Sequence, residues 1–381
     1  MRFEFATAQR IIFGMGVLAE VGPLARGLGR RPLVVTGRDG SRSQGLLERL
    51  GAHGLKPSIF SLAGEPTLAG VREGVARARA GQTDLVIAFG GGSALDAGKA
   101  IAALAVNEGD PLDYLEVIGQ GRPLAQRPLP CIAIPTTAGT GSEVTRNAVL
   151  ASPEHGVKAS LRHPWMLPEV ALVDPGLTVG VPPAITASTG LDALTQLIEP
   201  YLSVKANPMT DALCLEGVRR VARSLQRAWT DGGDLAARED MALASLLGGL
   251  ALANAGLGAV HGLAAPLGGL APVPHGAACA ALLPHVLEAN LRASGPGSPV
   301  RVRFRELAGL ITGDPGADAQ DGLRWVQDLV TDLRVPGLGR YGLSAADLDI
   351  IAVRGLAASS MKANPVTFNR SALVGILTKA M

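Results

Sequence analysis

DLVIAFGGGSALDAGKAIAALAV (residues 84–106) decides the fold of the first half of this chain. An apolar run leads into three glycines, and a helical pattern follows. This order predicts a buried strand, a tight turn and a helix whose free N–H groups attract phosphate. A plain strand-to-helix turn capped by Ser93 fits the same residues, so both interpretations stay open here. A Walker A loop is excluded because Ala100 stands where that motif needs Ser or Thr.

The same alternation continues outward from this stretch. PLVVTG (32–37) and SIFSL (58–62) predict buried strands, and CIAIPTTAGTGSE (131–143) predicts a strand running into a second polar loop. Alternating strands and helices indicate a parallel sheet that binds ligands at the carboxyl ends of its strands. After Pro183 only helical patterns follow. We therefore expect an α/β domain over residues 1–180 and an all-helical domain over residues 181–381.

Composition excludes several classes of function. The 381 residues suit two domains, and a net charge of +2 without basic clusters gives no argument for nucleic acid or membrane surfaces. The N-terminus lacks a signal peptide's apolar core. Residues 241–274 carry no charge but contain glycines, Asn254 and Pro266, which favours buried helix over a membrane span. Three dispersed cysteines predict buried free thiols, no zinc–cysteine site and a cytoplasmic location.

TTAGTGSEVTRN (136–147) forms the second polar loop, rich in hydroxyl groups and ending in an amide. Such groups suit hydrogen bonds to a nicotinamide carboxamide, a ribose or phosphates. An ordinary polar loop has the same composition, so the sequence leaves this point open.

Four residues outline a candidate metal site in the second half. Asp192 and Gln196 are four positions apart on one helical face, and His261 and His275 lie in an uncharged region. A carboxylate and two imidazoles could hold a divalent ion with open positions. Such an ion polarises a carbonyl or lowers the pKa of an alcohol. Two core histidines bonded to backbone carbonyls remain the alternative.

Together these motifs resemble the iron-containing (group III) alcohol dehydrogenase family over almost the whole chain. The segments that carry the resemblance are GGGSALDAGKAIA, IPTTAGTGSEVTRNAV, LPEVALVDPGLT, PPAITASTGLDALTQLIEPYLS, NAGLGAVHGLAAPLGG and PHGAACAALLPHVLEAN. The resemblance implies the dehydroquinate synthase-like fold, with an α/β nucleotide domain, a helical domain and an active site in the cleft between them. It also implies a homo-oligomer.

The resemblance assigns site residues in three groups. The cofactor pyrophosphate would lie against Gly91, Gly92, Ser93 and Asp96. The nicotinamide and ribose side would be lined by Thr136, Thr137, Thr140, Asn147 and Lys158. Three of the family's metal ligands correspond to Asp192, His261 and His275. No catalytic residue beyond these groups is assigned.

Two departures from the family pattern affect the metal site. Gln196 stands where the iron enzymes usually carry a third histidine, and its carbonyl oxygen is a weaker ligand than imidazole. The metal expected here is therefore Fe²⁺ or Zn²⁺, the latter as in the related glycerol dehydrogenases. Ala265 replaces a further histidine that the family often places near the nicotinamide, so any proton relay there is absent or passes to water.

A third departure concerns the nucleotide. Gly37 ends a strand where NAD-preferring relatives often carry Asp, which would repel a 2′-phosphate. Arg38, Ser41 and Arg42 follow and could bind that phosphate. We expect NADP(H) to be favoured over NAD(H).

The sequence thus predicts hydride transfer between NAD(P)(H) and a small alcohol or aldehyde, assisted by a divalent metal. A metal-free reductase resembling maleylacetate reductases is the first alternative, favoured by Gln196 and Ala265. A dehydroquinate-synthase-like cyclase would need basic residues that residues 241–274 do not supply. A catalytically lapsed cofactor-binding homologue is the third alternative.

Overall fold

The structure, a computed structural model, describes residues 2–381. The chain forms two compact units. The sheet unit comprises Ala6–Thr137 and Gly141–Thr178, and the helical unit comprises residues 2–5, Ala138–Thr140 and Val179–Met381. The expected α/β half followed by a helical half is confirmed. The functional division at residues 180 and 181 stays a prediction.

A six-stranded parallel sheet forms the centre of the sheet unit, with the strand order β1-β8-β5-β4-β2-β3. A separate antiparallel hairpin pairs β6 with β7. The strands are β1 (Arg10–Phe13), β2 (Pro32–Gly37), β3 (Ser58–Leu62), β4 (Leu85–Gly90), β5 (Cys131–Pro135), β6 (Asn147–Ser152), β7 (Val157–Arg162) and β8 (Val170–Val173). Strand β1 was not expected from the sequence. RIIF is short, with two residues exposed and two half-buried, and its pairing with β8 holds it in place.

Alternate residues of the central strands face opposite layers of core. In β4, Val86 and Ala88 join one apolar cluster, whereas Ile87 and Phe89 join the other. Both faces are covered by helices, which explains why the parallel strands are nearly continuous apolar runs. The helices of this unit are α1 (Val21–Leu28), α2 (Gln44–Ala52), α3 (Leu68–Ala80), α4 (Gly92–Ala105) and α5 (Pro111–Tyr114).

The helical unit is built around one large apolar cluster, and no strand lies within residues 183–381. Its helices are α6 (Pro183–Leu202), α7 (Pro208–Thr230), α8 (Leu235–Ala255), α9 (Ala259–Leu270), α10 (His275–Ala293), α11 (Pro299–Thr312), α12 (Ala319–Asp332), α13 (Ala345–Ala357) and α14 (Arg370–Ala380). Small residues allow close helix approach. A Cβ on Gly276 of α10, for example, would lie 2.6 Å from the Ser188 carbonyl oxygen of α6.

Across the described residues, none of the helices alone has the length and apolar character needed to cross a bilayer. Helices α8 and α9 meet those two criteria only as a pair, and they are bent by 99°. Most side chains of both helices are buried in the helical unit, as the sequence predicts for residues 241–274.

Candidate metal centre and cofactor loops

The glycine-rich loop lies at the carboxyl edge of the sheet, where its strand order reverses. β2 and β4 are neighbours, and the chain continues from β2 to β3 on one side and from β4 to β5 on the other. Such a reversal leaves a crevice that receives ligands in open α/β sheets. Gly37 ends β2, and Gly91 follows the end of β4 at the same edge. The predicted cofactor loops therefore emerge where this fold binds ligands.

Two details of the glycine-rich loop differ from the sequence-based expectation. Helix α4 begins at Gly92 with Gly91 as its N-cap, so Ser93 neither opens nor caps the helix. Only Gly90 of the three glycines has a positive φ, at 154°. Gly91 has a φ of −74°, and its missing side chain matters instead because a Cβ would approach Thr137 Oγ1 to 3.3 Å.

Asp96 and Lys99 bond to the second loop and to each other. Asp96 accepts hydrogen bonds from Ser142 Oγ and, at 2.9 Å, from the backbone N–H of Val149. Lys99 Nζ lies 3.2 Å from Asp96 and donates to the Ser142 carbonyl oxygen and Thr145 Oγ1. This buried network fixes the second loop against α4. A contact of Asp96 with the pyrophosphate stays a prediction.

The other predicted cofactor residues are spread along the two loops and the hairpin. The backbone N–H of Thr136 donates to the Gly90 carbonyl oxygen at 2.9 Å. Asn147 begins β6 and is half-buried, and Thr140 groups with the helical unit. Lys158 on β7 forms an ion pair with Glu65 at 2.6 Å. Their cofactor contacts also stay predictions.

The loop after β2 contains one acidic residue that the sequence analysis overlooked. Asp39 accepts a hydrogen bond from the backbone N–H of Ser41 at 3.0 Å and caps a short turn. Arg42 donates to the Leu177 carbonyl oxygen at 2.9 Å. Arg38 and Ser41 are exposed beside them.

The predicted metal residues converge within the helical unit. His261 Nε2 lies 3.4 Å and His275 Nε2 lies 3.7 Å from Asp192 Oδ1. Asp192 is on α6, His261 is in the first turn of α9, and His275 is the first residue of α10. One further side chain joins them, because Cys279 Sγ lies 3.8 Å from His261 Nε2 and 3.7 Å from His275 Nε2.

These four residues, which we call the α6/α9/α10 cluster, fit a metal ion. One ligand atom from each residue lies within 4.8 Å of the others. Ligand atoms about 2.0–2.3 Å from a tetrahedral ion lie about 3.3–3.8 Å apart, close to the distances observed. Asp192 Oδ1 is buried without a hydrogen-bond partner, a costly state unless a cation binds there.

Glu199 orients the His261 ring by accepting a hydrogen bond from its Nδ1 atom. Its two oxygens accept from His261 Nδ1 at 2.6 Å and from the backbone N–H of Val260 at 2.7 Å. Because Nδ1 donates to the carboxylate, Nε2 keeps its lone pair for a cation. Gly258 makes the approach possible, since a Cβ there would lie 2.8 Å from Glu199 Oε1.

The cluster stabilises positive charge. Burial opposes ionisation of Asp192, but His275 and His261 nevertheless lower the pKa of its carboxyl group. Cys279 raises the pKa of His275 to about 9 against the effect of burial, and Asp192 adds to the rise. Without a cation these imidazoles therefore attract protons, with which a metal ion would compete.

Gln196 is the fourth residue that the sequence assigns to the metal. It lies one turn after Asp192 on α6, is almost fully buried, and has no hydrogen-bond partner for Oε1. Gly248 of α8 packs against it, since a Cβ on Gly248 would lie 3.3 Å from the Gln196 Cβ. Its role as a ligand stays a prediction.

Sequence reasoning missed two residues of this site. The sequence analysis expected no zinc–cysteine site, and Cys279 nevertheless lies among the possible metal ligands. Its spacing of four from His275 on one helix was the available signal. Glu199 follows Asp192 by seven residues on α6, a spacing that places both on one helical face. Cys131, Cys214 and Cys279 are buried and free, as predicted.

Comparisons with known proteins agree with this architecture. Residues 8–175 match the family model for iron-containing alcohol dehydrogenase, and residues 186–381 match the C-terminal model of the same family. A 1,3-propanediol dehydrogenase of Klebsiella pneumoniae is 38% identical, covering 99% of this chain and 98% of that protein. Alcohol dehydrogenase 4 of Saccharomyces cerevisiae (strain YJM789) is 37% identical, covering 97% and 96%.

Solved structures show the same similarity in three dimensions. A crystal structure of 1,3-propanediol oxidoreductase superposes with a TM-score of 0.92 at 36% identity, covering both chains completely. An iron-containing alcohol dehydrogenase of Thermotoga maritima gives a TM-score of 0.85 at 30% identity, covering 100% of this chain and 99% of that chain.

Proposed function

This chain belongs to the iron-containing alcohol dehydrogenase family and is an alcohol/aldehyde oxidoreductase, and from that premise we propose its cofactor, metal and site residues. It transfers a hydride between C4 of a nicotinamide and the carbon of a small alcohol or aldehyde. A divalent ion, Zn²⁺ or Fe²⁺, assists. The observation that carries the proposal is that His261 Nε2 and His275 Nε2 converge on Asp192 Oδ1, a buried carboxylate oxygen without a hydrogen-bond partner.

The protein side of the mechanism follows from the geometry of the cluster. Asp192, His261 and His275 hold the ion, with Gln196 as a candidate fourth ligand. When bound, the ion is a Lewis acid that stabilises negative charge developing on the substrate oxygen. Glu199 keeps the Nδ1 proton of His261 in place. The His275 side chain is 41% exposed while those of Asp192 and His261 are at most 6% exposed, so substrate would approach from the side of His275.

The dinucleotide binds along the loops of the sheet unit. Backbone N–H groups of Gly91, Gly92 and Ser93 at the start of α4 face the pyrophosphate. Asp96 holds the second loop in position, and the nicotinamide and ribose are contacted from Thr136, Thr137, Thr140, Asn147 and Lys158. We therefore assign nucleotide binding to residues 1–180 and the binding of metal and substrate to residues 181–381.

NADP(H) is the favoured cofactor in this proposal, although Asp39 adds a negative charge to the loop. Exposed Arg38, Ser41 and Arg42 offer donors to a 2′-phosphate. A Cβ on Gly37 would meet no atom within 4 Å, so Gly37→Asp should fold normally. We expect this variant to lose about tenfold or more in kcat/KM with NADP(H) relative to NAD(H), since like charges repel. A wild-type enzyme that prefers NAD(H) would contradict the proposal.

Elemental analysis combined with an alcohol and aldehyde screen, using both cofactors, tests the function. We expect about one metal ion per chain and turnover that is lost on chelation and restored by Zn²⁺ or Fe²⁺. Full activity of metal-free protein would instead favour the reductase resembling maleylacetate reductases. Cofactor binding without turnover would favour a lapsed homologue. Light scattering of the same preparation tests the homo-oligomer that the family resemblance implies.

A further inference from the structure

Cys279 lies inside the α6/α9/α10 cluster rather than beside it. Its side chain is fully buried, one turn after His275 on α10. Its sulfur contacts Nε2 of both His261 and His275, at 3.8 and 3.7 Å. These are the same two nitrogens that face Asp192 Oδ1. The sulfur, the carboxylate oxygen and the two imidazole nitrogens therefore all lie within 4.8 Å of one another.

The other two cysteines show what an ordinary buried thiol looks like in this protein. Cys131 lies in β5, where burial raises its pKa to about 12. Cys214 lies in α7, and burial likewise raises its pKa well above the ordinary value. Neither belongs to a group of possible metal ligands among the described residues. Cys279 differs from them because two imidazole nitrogens and a carboxylate surround its sulfur.

We propose that Cys279 supplies the fourth metal ligand, giving an Asp192–His261–His275–Cys279 site that favours zinc over iron. This inference rests on the proposed metal-assisted function and adds the ligand that defines the metal. A thiolate is a softer donor than the amide oxygen of Gln196, and it suits zinc or cobalt better than harder ions. On ligation the thiol proton passes to solvent. Catalytic zinc sites usually have three protein ligands, so with Cys279 as a fourth the substrate oxygen would bind as a fifth ligand, a coordination number that zinc can reach.

Cobalt substitution tests directly whether the Cys279 sulfur binds the metal. Purified enzyme is stripped of metal and reloaded with Co²⁺, and its absorption spectrum is recorded. We expect a sulfur-to-cobalt charge-transfer band in the near ultraviolet, lost in Cys279→Ser and retained in Cys214→Ser. Cys214 is a matched control because it is an equally buried thiol of the same unit. Zn²⁺ affinity should fall about tenfold or more in Cys279→Ser only.

A second measurement does not depend on any variant. X-ray absorption at the zinc edge of wild-type enzyme should show one sulfur neighbour at about 2.3 Å beside nitrogen and oxygen at about 2.0–2.2 Å. A bound metal with only nitrogen and oxygen neighbours and no charge-transfer band would overturn the role of Cys279 and leave the metal-assisted function standing. Failure of the wild-type enzyme to bind metal at all would overturn both.

Discussion

At the carboxyl edge of the sheet, polar side chains bond to one another, whereas in the helical unit polar atoms of the metal site are buried without hydrogen-bond partners. Asp96, Lys99 and Ser142 form a closed network. Asp192 Oδ1 and Gln196 Oε1 have no hydrogen-bond partner. The first region offers a ligand its backbone N–H groups, and the second offers side-chain atoms. Removing one side chain should therefore harm the metal site far more than the nucleotide site.

Loss of His261 is the strongest test of this contrast. His261→Ala should abolish stoichiometric metal binding and lower turnover by about a thousandfold or more, since a Lewis acid contributes several kcal/mol. Cofactor affinity, measured by fluorescence titration with NADPH, should change little. The control is His285→Ala, which removes a histidine of α10 outside the cluster. Equal loss of metal in both variants would mean that the effect is general destabilisation.

Glu199→Gln should give a smaller effect on the same site. The amide can bond either His261 Nδ1 or the Val260 N–H through its oxygen, but not both as the carboxylate does. We expect metal affinity to fall about 10–100-fold, the range typical of residues that orient metal ligands. Competition with a chromophoric chelator measures it. Unchanged affinity would show that Glu199 only stabilises the start of α9.

The smallest expected effect concerns Glu143, which lies beside Ser142 of the closed network but is not part of it. Its Oε2 is buried without a partner, and burial raises the pKa of Glu143 from 4.5 to about 7. Because the folded pKa exceeds the unfolded one, the native state loses stability as pH rises from about 4.5 to 7. Glu143→Gln should therefore increase the free energy of unfolding by about 1–3 kcal/mol at pH 8.

The gain should shrink to about a quarter of this size at pH 5 and vanish below about pH 4, where the carboxyl group is protonated in both the folded and the unfolded state. Urea unfolding of both proteins at the two pH values measures the difference. A stabilisation of equal size at pH 5 and pH 8 would show that ionisation of Glu143 is not its source. The metal content of the variant should match that of the wild type.

The contrast between the two regions also explains what the sequence could predict. Strand β4, the glycine turn and helix α4 are local in sequence, so periodicity and glycine spacing were enough to place them. Strand β1 was missed because its pairing with β8, about 160 residues later, holds it rather than its own composition. Asp192, His261 and His275 were found because the chain resembles a known family. From their spacing alone, His261 and His275 could equally have been core histidines bonded to backbone carbonyls.

Cys279 and Glu199 were missed for a physical reason. Each becomes part of the site only when α6, α9 and α10 pack together. The helical spacing within one element places Cys279 beside His275, but it does not reveal that His261 and Asp192 come from other helices to the same point. Residues that meet through packing alone leave only a weak trace in a single sequence.

The central claim is that a carboxylate and two imidazoles from three helices hold one cation. Anomalous X-ray diffraction from crystals of the metal-loaded enzyme tests it most directly, with data collected at the absorption edge of the bound metal. We expect a single strong peak in the helical unit, in contact with Asp192 Oδ1 and with Nε2 of His261 and His275. A peak away from these three atoms in an active enzyme would contradict it.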